Sequence, residues 1–186
     1  MNRQDKKQAM KIRKTTDADL NEILHVEREA FNSEKEPALT KEILEDPSAK
    51  PVLSLIALIE DQPAGHILFS KAHILGNLDL AVYFLAPLAV ISKFQRQGVG
   101  GSLIKKGLVL LEKSGVDLVF VVGHPTYYPR YGFTPARKIG FEPTYPMPKE
   151  VADAWMVQVL KPGLIGSVSG KVVCCDALNK PGLWRE

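Results

Sequence analysis

The residues best suited to chemistry form one contiguous stretch, Phe94-Gln95-Arg96-Gln97-Gly98-Val99-Gly100-Gly101-Ser102. An apolar run, Leu85 to Val90, precedes it, and a segment with helical apolar spacing follows to Lys113. Strand, glycine-rich turn and helix in that order aim free backbone N–H groups and the positive helix end at one point, where a phosphate can sit. Glycines serve there because a Cβ would hold the backbone away from the anion. Arg96 adds a cation at the rim, so the stretch predicts a ligand that bears a pyrophosphate. Two common phosphate loops do not match. A nucleoside-triphosphate loop needs Gly, four residues, then Gly-Lys-Ser/Thr, and no window from Gly98 to Lys106 supplies it. A dinucleotide fingerprint needs a third glycine where Leu103 stands, and Ile91 to Gln97 separate the strand from the glycines.

Other reactive side chains are sparse. Cys174 and Cys175 are adjacent, and neighbours on a strand point to opposite faces, so they read as free thiols, one of them buried. A reducing, cytoplasmic compartment follows from that usage and from a polar N-terminus without a signal-peptide core. No His/Cys/Asp/Glu spacing resembles a metal site. His66 and His73 sit in a strand pair, and His124 follows an apolar strand. Glu27 stands on the apolar side of a helix, where a carboxylate needs a partner or a cleft.

The chain of 186 residues suits one domain with a single core. Its net charge of +3 is unevenly placed. Residues 1–14 carry +5 and the remainder −2, which argues against a nucleic-acid surface and for a solvated basic tail over 1–10. No apolar segment is long enough to span a membrane.

Those functional residues require a series of elements. Lys11 to Lys14 is a first strand. Thr16-x-x-Asp19 reads as a capping box opening a helix whose apolar side is Leu20, Ile23, Leu24 and Phe31. Thr40 to Leu44 forms a second short helix. Val52 to Glu60 and Ala64 to Leu75 form a hairpin around Asp61-Gln62-Pro63, and Leu80 to Val90 returns as the central strand. Pro87 cannot donate to the ladder, so pairing fails there on one side. Gly98 to Lys113 is the long helix, closed by Ser114-Gly115. Asp117 to Val122 is apolar throughout its middle, as a parallel strand buried on both faces should be. Residues 161–186 add turns and a β-prone Lys171 to Cys175, expected to form a hairpin packed on the same domain.

Gln95-x-x-Gly98-x-Gly100, following Leu85-Ala86-Pro87-Leu88-Ala89-Val90, resembles the acyl-CoA pyrophosphate loop of the GNAT superfamily of N-acetyltransferases. Tyr127-Tyr128-Pro129-Arg130-Tyr131-Gly132-Phe133-Thr134-Pro135-Ala136 bears a closer resemblance still, to the YhbS-like branch of that superfamily. The resemblance spans about Ile12 to Leu160 and defines an expected domain over 11–160. It implies an α/β (α+β) fold, with a mixed, mostly antiparallel sheet splayed at its middle and helices on both faces.

The resemblance also implies transfer of an acetyl group from acetyl-CoA to a primary amine by direct attack, with no metal. Main-chain groups of Leu88, Ala89 and Val90 would contact the pantetheine and thioester. Gln95, Arg96, Gln97, Gly98, Val99, Gly100, Gly101 and Ser102 would hold the pyrophosphate. Tyr128 matches by position the tyrosine that protonates the CoA sulfur, and an ordinary tyrosine is protonated at neutral pH. Tyr127 and Tyr131 read as packing residues. Glu27 is a candidate base, direct or through water, with a purely paired carboxylate as the alternative; no acid stands in Leu85 to Val90, where some relatives keep theirs. The partner is a small-molecule or peptide amine, not nucleic acid or membrane, and a homodimer is compatible with the sequence. The competing expectation is a non-catalytic acyl-CoA-binding module on the same fold.

Overall fold

The structure is a computed structural model describing residues 9–185; most of the expected basic tail lies outside those residues. In chain order the strands are β1 (Met10–Lys14), β2 (Leu53–Ile59), β3 (Gln62–Ile74), β4 (Asn77–Val90), β5 (Leu118–Val122), β6 (Thr134–Pro135), β7 (Phe141–Glu142), β8 (Trp155–Val159) and β9 (Gly170–Cys174). The helices are α1 (Leu20–Phe31), α2 (Lys35–Glu45) and α3 (Val99–Lys113). The sheet runs β1-β2-β3-β4-β5-β8-β6, with β9 on β3 and β7 on β9. Neighbours are antiparallel except β4–β5 and β7–β9. Among the described residues no helix is long and apolar enough to cross a membrane.

The centre of the sheet is β4. Its parallel ladder with β5 runs from Val82↔Leu118 to Leu85↔Val121 and stops before Pro87, as a residue without an N–H requires. On its other side β4 slips register against β3, from Phe69↔Leu85 to Ile67↔Leu88. One extra β4 residue is thereby accommodated, which reverses the alternation of side chains. Phe84 pairs with Ser70 and Ala89 with His66, so Phe84 and Ala89 share one face, while Leu88 opposite Ile67 lies on the other. The splay beyond Leu85 therefore has a distinct lining on each face.

The helices form two layers. On one face α3 lays Leu103, Ile104, Leu108 and Leu111 over Leu55, Ile67 and Phe69. Gly107 lets this helix sit on the Phe69 ring, because a Cβ there would collide with it. On the other face, Ile43 of α2 joins Leu68, Phe84, Phe120, Trp155 and Trp184 in a second core.

Several boundaries differ from the sequence expectation. The buried side of α1 is Ile23, Val26 and Glu27, whereas Phe31 is 42% exposed at the helix end. The capping residues work through Asp19, which accepts from the Thr16 N–H at 2.7 Å and from both Arg13 terminal nitrogens. A 3-10 turn, Asp17–Asp19, precedes the helix. Helix α2 begins at Lys35, not Thr40; Pro37 is tolerated because first-turn N–H groups have no helical partner. The hairpin turns at Glu60-Asp61, both with positive φ, and Gln62 already belongs to β3. Both cysteines are free and buried, rather than one. The C-terminal strand makes no hairpin of its own. Val172–Cys174 pairs with Ala72–Ile74 at the far end of β3, and the tail is pinned where Asp46 accepts the Ala177 N–H at 2.9 Å.

Candidate active site

The glycine-rich loop is built by its own side chains. After β4 a 3-10 turn, Ser92–Phe94, buries the Phe94 ring. Gln95 Nε2 donates to the Val90 carbonyl at 3.1 Å, and Gln97 Nε2 donates to the Lys93 carbonyl at 2.9 Å. Both amide side chains thus fold the loop back onto the strand end. Arg96 (φ 61) and Gly98 (φ 83) take left-handed backbone conformations, unusual for the arginine. Gly98 is the N-cap of α3, so the helix begins at Val99, one residue after the expected start at Gly98. The Ser102 N–H makes the first helical bond, to the Gly98 carbonyl at 3.0 Å. The N–H groups of Val99, Gly100 and Gly101 therefore have no carbonyl within the helix and point outward at its positive end.

These amides face a cleft of about 500 Å³ that also takes in Leu88, Val90, Gln95 and Arg96. Ala89, Gln97 and Ser102 are not part of its wall: Ala89 is on the opposite sheet face, and Gln97 is turned to Lys93. Three residues that the sequence left out of the site complete it, namely Tyr127, Arg130 and Tyr131. A Cβ on Gly100 would lie 2.7 Å from the Tyr127 hydroxyl, and one on Gly101 would strike the Tyr131 ring. The glycines thus admit two tyrosines to the helix end as well as exposing the backbone. Burial and the neighbouring Tyr131 hold the Tyr127 phenol well above the usual tyrosine range.

Tyr128 opens a 3-10 turn, Tyr128–Tyr131, just after β5. Its ring packs against Gly123, where no Cβ would fit, and edge-on to Phe133 at 5.6 Å. It is 8% exposed, and burial pushes its phenol up to about 12. Tyr127, not Tyr128, forms the cleft wall.

Glu27 is fully buried and accompanied. Its Oε1 lies 2.6 Å from His66 Nδ1, and His66 Nε2 lies 2.9 Å from Ser54 Oγ. Burial pushes the Glu27 carboxyl up, pairing with His66 opposes this, and Glu36 adds to the rise. Among the described residues, Glu27 Oε2 has no hydrogen-bond partner. The His66 and Ser54 contributions were not foreseen; they come from β3 and β2, and only the carboxylate on an apolar helix face signalled a need for partners. His66 stands opposite Ala89 in the β3–β4 register, so this trio lies on the sheet face away from the glycine cleft. His124 is exposed just beyond β5.

The geometry agrees with comparisons to known proteins. Residues 11–136 match the family model described as an acetyltransferase (GNAT) domain. The uncharacterized N-acetyltransferase YjhQ of Escherichia coli K12 is 44% identical over 164 residues, covering 87% of this chain and 90% of the relative. The uncharacterized N-acetyltransferase YhbS of the same strain is 30% identical over 154 residues, covering 82% and 89%. Among solved structures, Escherichia coli YhbS in complex with CoA superposes with a TM-score of 0.85 at 28% identity, covering 96% of this chain and 97% of that one. A GNAT acetyltransferase from Brucella melitensis in complex with acetyl-CoA gives a TM-score of 0.73 at 28% identity, covering 92% and 99%.

Proposed function

This chain belongs to the GNAT acetyltransferase family, and on that premise we propose that it is an N-acetyltransferase moving an acetyl group from acetyl-CoA to a primary amine. The observation that carries the reading is the cleft beside Pro87, with the unpaired amides of Val99, Gly100 and Gly101 at its floor and Arg96 and Arg130 on its wall. Such a floor fits a pyrophosphate, since N–H groups at a helix start and two guanidinium groups supply donors and positive charge together. Leu88 and Val90 offer an apolar wall to a pantetheine arm, next to the backbone that Pro87 frees from pairing.

Acetyl-CoA would supply an activated thioester. The amine nitrogen forms the new amide bond as the carbon–sulfur bond breaks; the amine loses one proton and the departing sulfur gains one. Tyr128 is the proposed proton donor to the sulfur. With its phenol pushed up to about 12 it stays protonated through the neutral range, and the turn after β5 holds it at the splayed end of the sheet. Glu27 is the proposed sink for the amine proton, through its unpartnered Oε2. His66 positions it by holding Oε1.

Release of free thiol from acetyl-CoA in the presence of amines tests this reading. Tyr128→Phe should lower kcat by about 10²-fold or more, as loss of a general acid does, with acetyl-CoA binding retained. Tyr127→Phe serves as the comparison, because its hydroxyl lines the cleft without a proposed proton role. Equal effects of the two substitutions would contradict the assignment of Tyr128.

A further inference from the structure

Ser54, His66 and Glu27 form a continuous hydrogen-bonded series. The Ser54 hydroxyl lies 2.9 Å from His66 Nε2, and His66 Nδ1 lies 2.6 Å from Glu27 Oε1. An ionised carboxylate only accepts hydrogen bonds. Beside an ionised Glu27, which the amine chemistry above also requires, Nδ1 therefore carries the proton of the neutral imidazole. Nε2 is left as the acceptor, and the Ser54 hydroxyl donates to it. Hydroxyl, Nε2, Nδ1 and carboxylate, in that order, are the parts of an activated serine. Acetyl transfer as proposed uses the other oxygen of Glu27 and gives Ser54 no task.

The series ends at a cleft of about 420 Å³, within the roughly 300–1,000 Å³ of small-molecule sites. Of the three residues only Ser54 lines it; His66 and Glu27 are wholly inaccessible behind the serine. Ser54 stands opposite Leu68 in the β2–β3 register and Ile56 opposite His66, so Ser54 and His66 project from the same face of the sheet. Helix α1 covers that face. Its Leu20 and Ile23 form part of the cleft wall, and Glu27 follows on the same side of the helix by spacing. Leu44 and Val52 add apolar wall, while Lys14, Lys50, Asp17 and Glu45 make a rim with both signs of charge. The glycine cleft shares no residue with this one.

We infer that Ser54 is the nucleophile of a second acyl-transfer site, which cleaves small esters carrying a short apolar acyl group and a good leaving group, such as aryl esters. Ser54 Oγ bonds to the ester carbonyl carbon as its proton passes to His66 Nε2. The carbon–oxygen bond to the aryl group breaks, the aryl oxide departs, and His66 releases its proton to solvent. Water then attacks the acyl-serine. One of its protons goes to His66 Nε2 and on to Ser54 Oγ as that ester bond breaks, and the carboxylic acid leaves. Two features restrict the substrate. His66 lies behind the serine and does not reach the leaving group, which must depart as an anion. The donors that the wall offers to the carbonyl oxygen are the Thr15 hydroxyl and the Lys14 and Lys50 ammonium groups, side chains rather than a fixed pair of amides. Glu27 is a positioning residue here, acting through His66.

The test treats the full chain with diisopropyl fluorophosphate and maps the adduct by mass spectrometry. Hydrolysis of p-nitrophenyl acetate and butyrate is followed in parallel by phenolate release. The inference predicts one adduct, on Ser54, and a burst of phenolate equal to the protein concentration followed by slower steady release. Ser54→Ala should abolish adduct and burst together. His66→Gln should slow the burst by about 10²-fold or more, the scale of a lost general base. Leu44→Trp narrows the cleft without touching the series and should raise KM for the butyrate by about tenfold. Ser54 left unlabelled, whether or not other residues react, would overturn the inference, and that reading is taken on the wild-type chain, so it stands even where a variant fails to fold. Equal phenolate release from wild type and a folded Ser54→Ala would overturn it as well.

Discussion

Glu27 on α1 and His66 on β3 are joined by a 2.6 Å hydrogen bond between two side chains that have no solvent exposure. The bond ties a helix to the strand beside β4 and holds one carboxylate oxygen while leaving the other unpartnered. A polar pair in this position is costly to break, because whichever group remains is buried without its partner. His66→Leu is expected to destabilise the fold by about 1–3 kcal/mol, measured by urea denaturation.

The same pair sets a pH dependence. Burial raises the folded-state pKa of Glu27 above its ordinary 4.5, so the folded state binds the proton more tightly than the unfolded chain. The resulting stabilisation is fully present below the ordinary pKa and is lost as pH rises through the folded one. Glu27→Gln removes that titration. The stability of the wild type relative to this variant should fall as pH is raised from below 4.5 toward neutrality; a difference that stays flat or grows in favour of the wild type would contradict the raised pKa.

Arg13 and Asp19 give the opposite slope. Hydrogen bonding to Arg13, then to the Thr16 backbone, holds the Asp19 carboxyl below its ordinary 3.8. Its stabilisation is present above the ordinary value and is lost as pH falls toward the folded one. Arg13→Gln should therefore weaken the protein at neutral pH and lose that disadvantage in acid. Acid titrations followed by circular dichroism, comparing the two chains, check the sign.

Glycine at 107 serves packing rather than helix formation. Alanine would favour the helix by about 1 kcal/mol, but its Cβ would overlap the Phe69 ring in a fully buried layer. Overpacking of this kind costs about 1–3 kcal/mol. Gly107→Ala is expected to lower the thermal midpoint, and a raised midpoint would show that Phe69 can yield.

Gly101 faces the proposed pyrophosphate site and the Tyr131 ring at once. Gly101→Val should displace Tyr131 and cover the helix amides, weakening acetyl-CoA binding by about tenfold or more, the loss of a charge-assisted hydrogen bond. The fold should survive, because the side chain has the open cleft to enter.

What could be read from the sequence was mostly local. The loop from Gln95 to Gly101 declares itself because strand, turn and helix are contiguous, while the left-handed backbone of Arg96 and Gly98 and the helix start at Val99 emerge only from the fold. Pro87 marks the end of the β4–β5 ladder by its residue type. The β2–β3 hairpin, the return of β4 and the parallel strand β5 were also legible, through β-prone and continuous apolar runs, whereas the places of β1, β8, β6, β7 and β9 in the sheet were not. What the sequence concealed depends on distant partners. Glu27, His66 and Ser54 belong to three separate elements, and the strand pairing of the C-terminal segment with β3 crosses most of the chain. The three tyrosines 127, 128 and 131 differ by the phase of a tight 3-10 turn, so which of them reaches the cleft could not be read from spacing alone. Phe31 was expected in the core, but Val26 takes that side of α1 and Phe31 reaches the solvent at the helix end.

The central claim is that the cleft at the start of α3 holds the pyrophosphate of acetyl-CoA. Calorimetric titration of the purified chain with acetyl-CoA, beside ATP and NADH, tests it most directly. The account predicts saturable binding of acetyl-CoA at one site, with neither ATP nor NADH competing on equal terms. No binding of acetyl-CoA, or equal competition by ATP, would contradict it and reduce Gly98 to Gly101 to a tight turn that seats two tyrosines.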